Sequence, residues 1–171
     1  MRSISMAVST ALVAAGVAGG VGMAPPAWAY DPAINGTYTA TVVGDWARVR
    51  EVYHQEAVVR STWTITTSCA TAEDCTGTVT SDQGWSAPLK MSDGYTWYLK
   101  RDIPNWETCP DGTTFVGRDY VTFYPANPDT GDNMLGSSVL AGRDQTVGPS
   151  GACGTNLPLD IEQPFRLDKI G

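Results

Sequence analysis

The sequence predicts an all-β fold, a single antiparallel β-barrel or sandwich of about eight strands with at most one short helix. Three observations predict it. Nearly every apolar stretch after residue 30 alternates with period two, which sets one face of a strand against a core and the other against water. Turn-forming residues recur about every ten positions, as in domains built from short, evenly spaced strands. Four cysteines, Cys69, Cys75, Cys109 and Cys153, lie in the same part of the chain, and an even count suits a disulfide framework.

The clearest strand covers residues 62–69, where Trp63, Ile65 and Cys69 share one face and Thr64, Thr66 and Ser68 the other. Residues 76–81 follow Cys75 directly and form the second arm of a hairpin. Further strands are expected at 36–43, 87–91, 95–103, 113–124, 138–143 and 164–170. Ser92-Asp93-Gly94 supplies a turn between two of them. Other breaks fall at 82–84, at Pro104-Asn105, and at 110–112, 125–132 and 148–154. Residues 45–59 read as the one helix, capped by Asp45 with Trp46, Val49, Val52 and Tyr53 at helical spacing, or equally as a β-branched strand. No repeat or linker divides the chain, so residues 30–171 make one domain.

Ahead of that domain, Met1-Arg2-Ser3 precedes an uncharged run from Ala7 to Gly22 rich in Ala, Val and Gly. This is the pattern of a signal peptide, with Ala27-Trp28-Ala29 as the cleavage site and Tyr30 as the new N-terminus. Gly16, Gly19, Gly20 and Gly22 with Pro25-Pro26 make the run a poor membrane span, so no stable membrane anchor is expected. Removing residues 1–29, which carry Arg2 and no acidic residue, takes the formal charge from −7 to −8. An acidic surface without a basic cluster repels phosphate backbones, so nucleic acid is not an expected partner.

An oxidising compartment turns the cysteines into staples. The five residues between Cys69 and Cys75 can turn the chain back beside itself, which pairs these two and leaves Cys109 with Cys153. A zinc site would need more ligands than this set and the single His54 provide, so neither a metal nor a cofactor is expected.

Catalytic signals are weak. Gly148-Pro149-Ser150-Gly151-Ala152 misses the Gly-x-Ser-x-Gly turn by one residue, no histidine follows it, and Pro158 opposes the helix that turn requires. His54 stands beside Glu51 and Glu56 as a surface or structural histidine. Asp93, Asp102, Glu107 and Asp111 are unranked candidates for paired-carboxylate hydrolysis. Asp129 to Asn133 is oxygen-rich but lacks the spacing of a calcium loop, and a solvated turn accounts for it. Asn35-Gly36-Thr37 matches the short glycosylation pattern.

Aromatics next to turn residues are more informative. Trp46, Trp85, Tyr95 and Trp106 follow Asp45, Gly84, Gly94 and Asn105. On one rim they would form a platform for sugar rings or a lip for an apolar ligand; plugging the ends of the core would use the same residues.

Several motifs carry a resemblance. Trp63-x-Ile-x-x-x-Cys69, Asp74-Cys75, Gly84-Trp85, Cys109-Pro-Asp-Gly112, Gly151-Ala-Cys-Gly154 and Pro164-Phe-x-Leu167 together resemble a family of conserved secreted mycobacterial proteins, which implies export and no particular activity. The same order of Trp, paired Cys, Trp, Cys and a late Cys-Gly before a Pro-Phe strand resembles, more faintly, extracytoplasmic domains of mycobacterial receptor-type serine/threonine kinases. Gly36-Thr37-Tyr38 is similar to the Gly-x-Trp opening of lipocalins, with Tyr for Trp, which implies a ligand-holding barrel. The expected function is a secreted, non-enzymatic binding or interaction domain of the envelope or medium, contacting an apolar small molecule, a lipid, an envelope glycan or a protein. A secreted carboxylate-dependent hydrolase and a structural envelope component are the alternatives.

Overall fold

The computed structural model describes residues 30–171; the expected signal peptide lies outside them. Ten strands run in chain order: β1 (Gly36–Val42), β2 (Arg48–Val49), β3 (Val52–Tyr53), β4 (Val59–Cys69), β5 (Cys75–Ser81), β6 (Ser86–Met91), β7 (Trp97–Thr108), β8 (Thr114–Pro125), β9 (Val139–Val147) and β10 (Asp160–Lys169). All pairings are antiparallel. β1 pairs β4, each strand from β4 to β10 pairs the next, and β10 returns to β1 with Tyr38 opposite Lys169 and Val42 opposite Phe165. The result is a closed eight-stranded barrel, with the β2–β3 hairpin added to the first half of β10 through Ile161–Val49 and Glu162–Arg48.

Alternation decides what fills the lumen. Tyr38, Ile65, Val79, Leu89, Trp97, Val121, Phe123, Leu140, Phe165 and Leu167 all point inward and are buried. Trp85, Trp63, Phe165 and Phe123 form a continuous aromatic column, with successive ring centroids 5.2, 5.0 and 5.8 Å apart. Eight strands leave an interior that side chains can fill, and here they do. Along this column the lumen is occupied by aromatic side chains.

The expected helix at 45–59 does not form. A single 3-10 turn, Gly44–Trp46, is followed by the β2–β3 hairpin, and Asp45 makes no capping bond. Val49 and Val52 pair across the hairpin in the extended conformation that β-branched residues favour. Its tight turn holds Arg50 and Glu51 at φ 51° and 64°, an uncommon conformation for residues with a Cβ. The Arg50 guanidinium donates to the carbonyls of Leu157 and Pro158 at 3.2 and 3.1 Å, clamping the hairpin onto the β9–β10 loop.

Some strands outrun their expected ends. Pro104-Asn105, read as a break, is a bulge inside β7: the register with β8 shifts between Ile103 and Glu107, and Asn105 takes a φ of 52°. β9 continues to Val147 and β10 starts at Asp160, ahead of Pro164. The disulfides join Cys69 to Cys75 and Cys109 to Cys153, as the sequence predicts. The first closes the β4–β5 turn. The second ties the β7–β8 turn to the β9–β10 loop at the opposite end of the barrel.

Replacing both Cys109 and Cys153 with serine should lower unfolding free energy by roughly 4 kcal/mol on the chain-entropy argument for a loop of this length, read from denaturant unfolding. Opening the Cys69–Cys75 loop in the same way should cost about half as much.

Candidate functional site

The end of the barrel that carries the β5–β6, β7–β8 and β9–β10 connections has a polar lumen. Period-two alternation brings Arg101 of β7, Asp119 of β8 and Asp144 of β9 inward, above the apolar column. The pairings Arg101–Asp119 and Val121–Asp144 fix this register. Arg101 Nε donates to Asp119 Oδ2 at 2.7 Å, and its guanidinium stacks 4.1 Å from the centroid of Trp85. Asp119 is 1% exposed. A carboxylate so enclosed needs its cation, and removing one partner of a buried pair typically costs several kcal/mol.

Asp144 is the diagonal cross-strand neighbour of Asp119 on the inner face, so the two carboxyls influence each other. Burial pushes the Asp144 carboxyl well above the ordinary carboxylate range, and the neighbouring Asp119 charge adds to this. Burial also raises Asp119, while Arg101 pulls it down. The guanidinium therefore favours charge on Asp119 and leaves the proton on Asp144. Among the described residues, Asp119 Oδ1 and Trp85 Nε1 are the buried side-chain polar atoms without a hydrogen-bond partner.

Around this polar layer are two kinds of hollow. One, of about 180 Å³, opens at the mouth between Trp106, Glu107, Thr146 and Gln163 and the segment Glu56 to Val59. Trp106 packs edge-on against Phe115, with centroids 5.8 Å apart. The other lies on the outer wall. A hollow of about 520 Å³ is bordered by Trp46, Arg48, Tyr53, Arg143 and Glu162, and a second of about 480 Å³ by Tyr95, Thr122, Tyr124 and Arg143. Both are bordered by Gly142 and Arg143, so the two adjoin across Arg143 on β9 as a two-part trough. Trp46 is 70% exposed and Tyr53 61%.

The four aromatics expected as a ligand platform are thus divided. Trp46, Trp85 and Trp106 lie towards the polar end, whereas Tyr95 follows the β6–β7 turn at the opposite end. Trp85 packs edge-on against Trp63 beneath Arg101, Trp106 faces the mouth, and Trp46 and Tyr95 border the two parts of the trough. Of the carboxylates singled out in the sequence, Asp93 accepts from the Tyr95 and Thr96 amides and Asp111 from Thr113, both as turn caps. Asp102 meets Arg118 at 3.5 Å on the surface, and Glu107 lines the mouth. His54 Nδ1 is 2.9 Å from Glu56 Oε1. Ser150 Oγ donates to the Asn156 carbonyl at 2.7 Å.

The inward Asp119 and Asp144 are absent from the sequence-based candidates. A signal for them does exist: Lys100-Arg101, Arg118-Asp119 and Arg143-Asp144 are charged doublets on three successive strands, and alternation sends one member of each inward.

Fold and site together define a closed antiparallel barrel with a charged inner layer at one end and aromatic hollows on its wall. Among solved structures, the monomer form of the PknI sensor domain of M. tuberculosis is similar, with a TM-score of 0.54 and 15% identity over 81% of this chain and 88% of that one. The likeness bears out, at the level of fold, the resemblance to receptor-kinase extracytoplasmic domains. No protein-family model and no curated protein matches the chain.

The carboxyl pair predicts a pH dependence. Both groups titrate higher in the folded barrel than in the unfolded chain. The stability their proton contributes is complete below about pH 4, the unfolded carboxyl range, and is lost as pH rises through the raised folded values. Melting temperature should therefore fall from about pH 4 towards neutrality. Asp144→Asn, which keeps a neutral donor, should flatten that slope.

Proposed function

We propose that this chain is an exported, non-enzymatic binding domain of the cell envelope or medium, that residues 1–29 are its signal peptide, and that it takes its ligand on the barrel wall. The observation that carries this reading is the pair of exposed rings, Trp46 and Tyr53, beside a hollow of about 520 Å³, a volume within the range of small-molecule sites. Exposed aromatic surface is kept where something covers it. The two disulfides support an oxidising, extracytoplasmic setting, and the fold likeness to a sensor domain agrees with it.

A filled lumen argues against the lipid or apolar small molecule that an enclosed cavity would hold. An open trough suits a glycan or a protein segment better, and it keeps Trp46 and Tyr95 as candidate binding residues, with Trp106 a separate candidate at the mouth. The hydrolase alternative has less support. Asp93 and Asp111 are taken up as turn caps, and Asp102 pairs with Arg118 on the surface.

Residues 30–171, immobilised and challenged with separate glycan, lipid and protein fractions of the envelope, should retain material from one fraction and release it chemically unchanged by mass spectrometry. Trp46→Ala should weaken that retention about tenfold, the scale of an interface hot spot. Release of cleaved material would instead favour the hydrolase. Separately, intact-mass analysis of the exported protein should begin at Tyr30.

A further inference from the structure

Resting on the wall-binding reading, we propose that the trough is a site for a linear, neutral oligosaccharide whose chain runs from Trp46 and Tyr53, over Arg143, to Tyr95. Its shape is the first argument. The two hollows share Gly142 and Arg143 and each ends on exposed aromatic surface, Trp46 and Tyr53 on one side and Tyr95 on the other. Such an open, two-part channel fits a chain of repeating units better than one compact molecule.

Its chemistry is the second argument. The electron-rich face of an aromatic ring attracts the weakly positive C–H groups on the face of a sugar. Between the rings, Arg48 and Arg143 offer only donors and Glu162 only acceptors, with Arg143 Nη1 held 3.2 Å from Glu162 Oε2. A sugar hydroxyl both donates and accepts, so it can satisfy either kind of group. Glu162 takes up the charge of Arg143, and the whole chain is acid-rich, with a formal charge of −7, which disfavours a polyanion. An acyl chain would cover the Arg48 guanidinium and the Arg143–Glu162 pair with hydrocarbon, at a desolvation cost.

The test is a panel of linear neutral glucans, mannans, galactans and arabinans of increasing length, with oligogalacturonate and phosphatidylcholine vesicles alongside, titrated by tryptophan fluorescence and calorimetry. For at least one neutral series, affinity should rise with length until both aromatic ends are engaged and then level off. Trp46→Ala should weaken binding of short and long chains about tenfold. Tyr95→Ala should leave the shortest binding chains unaffected and remove the gain from length. Both positions are exposed, and unchanged melting temperatures will show that the variants fold. No binding by any neutral series, or binding without dependence on length, overturns the proposal. Trp46-dependent binding of oligogalacturonate in their place overturns the assignment to a neutral chain, and Trp46-dependent binding of vesicles overturns the sugar assignment, each leaving a wall-binding domain. Envelope material retained equally by wild type and Trp46→Ala removes the wall site itself.

Discussion

Closure of eight strands through the pairing of β1 with β10 sets how much room the rest of the molecule has. A barrel of this strand number encloses a space about as wide as the side chains that face it. Here the aromatic column of Trp63, Phe123 and Phe165 takes up the middle. Whatever the domain does must therefore be done at its mouth or on its wall, and the irregular parts of the chain are found there. β1 ends at Val42 while β10 extends back to Asp160, so the first half of β10 lacks its partner on that side. The β2–β3 hairpin takes the vacant ladder positions and, with the turn before it, brings Trp46 and Tyr53 to the outer wall.

The polar end has a different logic. Placing Arg101, Asp119 and Asp144 inside costs desolvation that an apolar layer would avoid, so the cluster is not a simple gain in stability. It does make a specific arrangement: the guanidinium is held between an indole face and a carboxylate, with the second carboxyl, its affinity for a proton raised by burial, beside them. Any other register of β7 against β8, or of β8 against β9, would separate these groups. The layer thereby fixes the alignment of three of the barrel's eight strands.

How much of this was legible follows from which residue types speak unambiguously. The alternating strands and the Cys69–Cys75 hairpin were readable because apolar period and cysteine spacing give the same answer. The 45–59 segment was not, since Arg50 and Glu51 adopt the left-handed region without the glycine or asparagine that would have announced a turn. Pro104-Asn105 gave the signal of a break and formed a bulge, because β7 resumes its ladder at Glu107. Asp119 and Asp144 were hidden by their neighbours. A charged doublet looks solvent-facing on both residues until the apolar residues above and below it in the strand set the phase. The trough was beyond reach for another reason: Trp46 and Tyr95 are far apart in the chain and come to one wall only through the closed topology.

The β1–β10 seam also bears on how such a chain is made. It joins residues 38–42 to residues 165–169, so the tenth strand is needed to complete a ladder begun by the first. Contacts this distant in sequence form late, after the entropy of closing the intervening loop has been met. Until β10 is in place the other strands stay an open, unsealed sheet. Both disulfides join residues ahead of β10, so they can form before the seam that closes the barrel.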